Sequence, residues 1–202
     1  MSERRQRARK IVLASSSPRR RELLRLTGLR FLIDHSDFEE VLTQHVQPER
    51  LARRLSYGKA SAVASRHGDA LIIAADTFIT LRGAVLGKPH TPEEARRMLM
   101  LLNGRSHVVT TGVTVLDTRT SRKSSFAVST KVFFKKMSEQ DIDGYIATGE
   151  PLDKAGAYAI QGLGAFLVRK IEGDYFNVIG LPLSALADAL KPFGIRVPYT
   201  GE

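Results

Sequence analysis

The chain is predicted to fold as an α/β protein. Three observations point there. Short apolar runs of strand length alternate with stretches whose apolar residues recur at helical spacing. Helix starts marked by a proline in the first turn recur between them, at Pro18, Pro48 and Pro92. No Pro/Gly/Ser linker, internal repeat or low-complexity stretch divides the 202 residues.

Residues 11–15 are predicted as a short buried strand. Ser17 then caps a helix with Pro18 at its first position, carrying Leu23, Leu24 and Leu26 and stopping near Gly28. Residues 31–33 form a second strand. Gln47-Pro48 opens a longer helix with Leu51, Leu55, Ala62 and Val63 on one side. Gly58 weakens its middle by roughly 1 kcal/mol relative to Ala, which asks for a packing or clearance reason. Residues 70–75 are a continuous apolar strand ending in Asp76 and Thr77, and residues 78–81 and 84–86 pair as a hairpin about Arg82-Gly83. Thr91, Pro92 and Glu94 begin a helix with a capping-box pattern, and Asn103-Gly104 ends it. Residues 107–116 and 126–134 are strands, joined by a polar turn. Ser138 caps a helix ending near Gly149. A Gly-rich connection over 150–164 leads to a strand over 165–171. Leu183, Leu186, Ala187 and Leu190 define a last helix, stopped by Pro192 and Gly194.

Composition narrows the chemistry. There is no cysteine, which removes a disulfide framework, a thiolate zinc site and a cysteine nucleophile, and fits a reducing, cytoplasmic setting. The longest apolar run, residues 70–75, is too short to cross a bilayer, and no apolar segment of signal-peptide type follows the basic start. The formal net charge is +10, but it is unevenly placed: residues 1–25 hold nine Lys/Arg against two acids, and the rest hold 22 against 19. The expected division is therefore a basic tail over residues 1–10 and one domain over 11–202. The tail reads as solvated charge; contact with nucleic acid or an anionic membrane is the alternative.

Four segments can carry chemistry. Leu13-Ala14-Ser15-Ser16-Ser17-Pro18-Arg19-Arg20-Arg21 runs from a strand through hydroxyls into a helix start. Free N–H groups there attract anions, and three arginines oppose the helix dipole unless an anion repays them. Ala74-Ala75-Asp76-Thr77 places an acid where α/β folds put ligands, at the carboxyl end of a strand; the acid can hold Mg²⁺ or orient a water. Leu86-Gly87-Lys88-Pro89 offers close backbone and a point charge for phosphate without being a Walker loop. Residues 149–164 mix acids, Lys154, glycines, Tyr158 and Gln161; the Gln161 amide both donates and accepts, as a base edge requires, and Tyr158 either stacks on a base or packs in the core. The five histidines are scattered and read as surface or capping residues, with no zinc pair.

In order, LASSSPRR (13–20), AADT (74–77), LGKP (86–89), EEARRML (93–99), TGVTVL (111–116), GEPLDKAGAYAIQGLG (149–164) and GDYFNVIGLPL (173–183) resemble the Maf family of nucleoside triphosphate pyrophosphatases. The resemblance implies a single mixed-sheet α/β domain, two lobes flanking a deep cleft, a homodimer, and cleavage of a nucleotide between the α- and β-phosphates with a divalent metal, Mg²⁺ first and Mn²⁺ or Co²⁺ next. It implies Asp76 as the base that activates water and as a metal ligand with Glu40. It assigns Arg19, Thr77 and Gln161 to substrate choice, and Ser15, Ser17, Arg20, Lys59, Lys88 and Lys154 to the phosphates. The Arg, Thr and Gln set matches the dTTP/UTP branch, whereas a 7-methyl-GTP branch typically carries Trp, Gln and Glu. Phe38-Glu39-Glu40 stands where the family more usually has Ile-Asp-Glu. The competing class is a non-catalytic binding protein of nucleotide or nucleic acid, linked to septum formation.

Overall fold

The computed structural model describes residues 9–39 and 47–197. Among these, seven strands form one mixed sheet: β1 (Ile11–Leu13), β2 (Leu32–Ile33), β3 (Leu71–Leu81), β4 (Ala84–Leu86), β5 (Ser106–Asp117), β6 (Lys123–Phe134) and β7 (Val168–Glu172). The order is β2-β1-β3-β5-β6-β7, with β4 paired to β3. β1 runs parallel to β2 and β3, and every other pair is antiparallel. The helices are α1 (Pro18–Arg25), α2 (Pro48–Ala64), α3 (Pro92–Leu102), α4 (Glu139–Ala147), α5 (Tyr175–Ile179) and α6 (Leu183–Leu190).

The helix starts follow their caps. Ser17 Oγ accepts from Arg20 N at 3.4 Å and Thr91 Oγ1 from Glu94 N at 3.2 Å. Ser138 and Asp141 cap reciprocally. The Glu94 carboxylate takes the His90 N–H at 2.7 Å, one residue upstream of the cap, so the reciprocal half of the expected box is shifted.

Two expectations give way. Residues 70–81 do not break at Asp76 and Thr77, because β3 runs unbroken from Leu71 to Leu81 and pairs with β5 through Asp76↔Gly112 and Thr77↔Thr111. The strand expected from residue 165 begins at Val168, since residues 162–167 wind as a 3₁₀ turn. α5 was not foreseen, although Asp174 signals it by accepting from Phe176 N and Asn177 N.

Strand alternation then sorts β3 onto two faces. On one face Leu71, Ile73 and Ala75 join a core with Leu13, Leu24 and α6, while Ile79 and Leu81 join a second core with α3 and α4. These are the two lobes, and Thr77 lies in the notch between them. On the other face Ile72, Ala74 and Phe78 are covered by Leu51, Leu55, Ala60 and Val63 of α2, with Asp76 among them. β1 accompanies β3 only as far as Ile73, and β4 joins it only from Ile79. Among the described residues no strand lies beside the edge of β3 between those residues, which leaves a window at Asp76 and Thr77.

Arg9 and Lys10, assigned above to the basic tail, are attached to the body. Arg9 pairs with the buried Asp117, and the Lys10 carbonyl accepts from Leu71 N at 2.8 Å.

Candidate active site

Two hollows meet at the window. One is walled by Thr77, Ile79, Tyr158, Ile160, Gln161 and Val178, and the other by Ser15, Ser16, Ser36, Phe38 and Lys59. Ser17, Arg19, Arg20, Lys88 and Asp153 border both, so they form one continuous cleft. Lys154 lines the first hollow. The scattered cations of the sequence therefore do converge, at the carboxyl end of β1.

Each cation is placed by its element. Arg20, in the first turns of α1, spans to β3 and to the loop after α5. Its Nη2 donates to Thr77 Oγ1 at 2.9 Å, its Nε to Gly180 O at 2.9 Å and its Nη1 to Ser15 Oγ at 3.4 Å. Ser15 is buried and also accepts from Ser17 N at 3.2 Å, so it braces the turn as well as lining the cleft. Arg19 reaches Asp153 at 3.8 Å across the cleft, and Asp153 also pairs with Lys154. Lys59 projects from α2 and pairs with Asp76, whose residue is only 3% exposed. Arg21 lies outside the cleft lining, and its Nε is buried without a hydrogen-bond partner among the described residues.

Gly58 answers the clearance question: a Cβ there would come within 2.4 Å of the Phe38 ring. That ring forms part of the cleft wall. Its segment is tied to the end of α2, where Arg66 donates to Asp34 at 2.8 and 3.1 Å and His67 Nε2 bonds Asp34 at 2.9 Å. Glu39 is exposed, and Glu40 falls outside the described residues.

The 149–164 connection is shaped by Glu150. Its carboxylate accepts from Tyr145 OH at 2.9 Å, Leu163 N at 3.1 Å and Gly164 N at 3.0 Å. Burial pushes this carboxyl up, but those donors and Lys154 outweigh it and hold the group below the usual carboxylate range. Gly156 N donates to Gly87 O at 2.9 Å, joining the connection to the segment that carries Lys88. Gln161, which lines the first hollow, is exposed, and its side-chain amide makes no hydrogen bond to another described residue.

Tyr158 takes the core role rather than the stacking one. It is 4% exposed, its ring sits edge-on to Phe134 at 4.7 Å, and its hydroxyl bonds His107 Nε2 at 2.7 Å. His107 thereby overturns the reading of all five histidines as surface or capping residues, being 2% exposed between two aromatic rings. Burial pushes its imidazole down to about 4. A folded-state value below the unfolded one means the unfolded chain binds the proton first as pH falls. This contribution, about 3 kcal/mol for 2.5 pH units, is complete above pH 6.5 and lost between 6.5 and 4. Wild-type stability in urea is expected to fall across that window more steeply than that of His107→Gln; parallel curves would contradict it.

Among the described residues no three of His, Asp and Glu gather into a group that could hold a metal by themselves. Asp76 is buried behind the lining of the cleft and touches it through Lys59, whereas Asp153 borders both hollows. Mg²⁺ accepts one or two protein carboxylates when phosphate oxygens and waters complete its octahedron, so the donor set fits an ion held mainly by a bound polyphosphate.

The family model described as Maf-like protein matches residues 10–193. The chain belongs to the Maf-like family. A dTTP/UTP pyrophosphatase of Moorella thermoacetica is 50% identical over 188 residues, covering 93% of this chain and 97% of its own. One from Methanosarcina mazei is 50% identical over 190 residues, covering 94% and 96%, and one from Clostridioides difficile is 46% identical over 190 residues, covering 94% and 98%. The solved Ham1 protein of Staphylococcus aureus aligns at TM-score 0.46 with 14% identity, over 62% of this chain and 71% of that one. No helix among the described residues is long and apolar enough to cross a membrane.

Proposed function

We propose that this Maf-like chain hydrolyses dTTP and UTP to the monophosphate and pyrophosphate. The observation that carries the reading is the continuous cleft beside the window in β3, where two hollows sharing Ser17, Arg19, Arg20 and Lys88 bring cations next to Thr77 and to the Lys59 that pairs with the buried Asp76. The relatives named dTTP/UTP pyrophosphatase support the same substrates.

The triphosphate lies along Ser17, Arg20, Lys59 and Lys88, whose charge offsets its roughly four negative charges and those developing in transfer. The flat base enters between Ile79, Ile160 and Val178, with Thr77 and Gln161 offering polar contacts. Lys59, paired with Asp76 before substrate arrives, is drawn toward the phosphates, which uncovers the carboxylate. Asp76 takes a proton from water as that water attacks the α-phosphorus, and pyrophosphate departs on the opposite side. Asp76 would hold a divalent metal, which would supply neutralisation of charge on the transferred group.

The test is a panel of dTTP, UTP, CTP and 7-methyl-GTP with Mg²⁺, assaying pyrophosphate and orthophosphate separately. Pyrophosphate equal to monophosphate, fastest with dTTP and UTP, is expected. Orthophosphate alone, or a preference for 7-methyl-GTP, overturns the reading.

A further inference from the structure

We propose that Thr111 is a positioning residue that fixes the direction of the Thr77 hydroxyl, so that Thr77 offers the base only a lone pair and thereby selects uracil and thymine over cytosine. The proposal rests on the function just given.

Thr77 and Thr111 are directly paired across β3 and β5, on the face between the lobes. Their hydroxyls lie 2.9 Å apart. By themselves two hydroxyls leave the donor undecided, but here both ends of the chain have fixed polarity. At one end the Arg20 guanidinium, which only donates, gives a hydrogen from Nη2 to Thr77 Oγ1 at 2.9 Å. At the other, Thr111 Oγ1 donates its single hydrogen to the Asn177 main-chain carbonyl, which only accepts, at 2.9 Å. Thr111 has no second hydrogen for Thr77, so Thr77 must donate to Thr111. The order is therefore Arg20 to Thr77 to Thr111 to Asn177.

The far end is held firmly. Asn177 is fully buried, and its Nδ2 donates to Val109 O at 3.0 Å and Thr130 Oγ1 at 2.8 Å. The near end is held by Arg20 Nε on Gly180 O. Thr77 lines the hollow and Thr111 is buried behind it. The one capacity Thr77 has left for a ligand is its second lone pair.

A uracil or thymine edge reads acceptor, donor, acceptor, with N3–H as its one donor. An acceptor-only hydroxyl in a site for those bases can satisfy only that N3–H, leaving the carbonyl oxygens to the Gln161 amide. Cytosine carries a lone pair at N3, so two acceptors would face each other. A site built around a hydrogen bond rejects the analogue that cannot make it.

The full chain, its Thr111→Val and Thr111→Ser variants, and Thr77→Val are titrated with the α,β-imido analogues of UTP and CTP, alongside hydrolysis of UTP and CTP. Wild type is expected to prefer the UTP analogue. Thr111→Val frees the Thr77 hydrogen to turn toward the ligand, and is expected to narrow the UTP/CTP ratio about tenfold, mainly through tighter CTP analogue binding. Thr111→Ser keeps the hydroxyl and should keep the ratio. Combining Thr111→Val with Thr77→Val should narrow it no further than Thr77→Val does. Thr111→Ala removes the same hydroxyl and serves if the valine fails to fold. An unchanged ratio in Thr111→Val, equal narrowing in Thr111→Ser, or equal wild-type affinity for both analogues with turnover intact overturns the polarity assignment alone. A wild type that binds neither analogue and releases no pyrophosphate overturns the function, and the assignment with it.

Discussion

Asp76→Asn is expected to lower kcat for pyrophosphate release by about a thousandfold, within the range a positioned general base supplies, without raising KM. The amide keeps the size of the carboxylate and its place on β3, but it cannot take a proton from water. The two effects separate for an electrostatic reason. Asp76 is an acid paired with Lys59 at the edge of a cleft rich in Lys and Arg, so removing its charge relieves repulsion of the incoming triphosphate. Its loss also removes the ion pair that ties Lys59, a cleft-lining residue, to the carboxylate. A buried pair that loses one member is ordinarily costly, since the remaining charge is stranded. Here the Lys59 side chain lines an open cleft and can turn to solvent or substrate, so the unfolding midpoint should move little. Turnover comparable to wild type would remove Asp76 as the base. A fall in kcat with an equal rise in KM and a lowered midpoint would make it a structural group.

Much of this site follows from local signals. The Ser17-Pro18 start is legible because a cap, a fixed φ and the first turn act within a few residues, and the same holds for Thr91-Pro92 and Ser138. The family resemblance implies that residues 13–20, 74–77, 86–89 and 149–164 share one site, and the cleft is lined by Ser15, Ser17, Arg19, Arg20, Thr77, Lys88, Lys154 and Gln161 from those segments. What escaped depends on distant partners. A polar Asp-Thr pair reads as a strand end, yet β3 continues because Gly112 and Thr111 of β5 face those residues and take them in. His107 reads as surface from its polarity, but Phe134 and Tyr158, far along the chain, enclose it. Ile73 as the last partner of β1, and so the window itself, reflects where a three-residue strand stops, a boundary that local patterns mark poorly. Asp174 did carry a local signal for α5, a cap after Gly173.

Gly112→Ala is expected to cost stability by about 3 kcal/mol or more, a drop of roughly 10 °C in Tm for a chain of this size, and to impair turnover as well. In sequence Gly112 is an unremarked residue within TGVTVL. In the fold it lies opposite Asp76, on the face that α2 covers. A Cβ there would fall 2.1 Å from Ala52 O, 2.2 Å from Ala52 C and 2.8 Å from Arg53 N. All three are main-chain atoms of a helix, so no rotamer change relieves the contact. The helix must lift, and with it the packing of Leu51, Leu55 and Phe78 beneath it, which are now closed to solvent. The same displacement reaches the chemistry, because Lys59 sits two turns further along α2 and meets Asp76 only while the helix lies flat. A shift of about 1 Å in a positioned group can cost about a hundredfold in rate. Gly144, on α4 with open space around it, is the matched control: alanine there relieves a helical glycine and should leave turnover unchanged. Close approach of α2 to the sheet is thus what converts a buried aspartate into an aspartate with a cation at hand. A Gly112→Ala protein with wild-type midpoint and wild-type kcat would break that link between packing and catalysis.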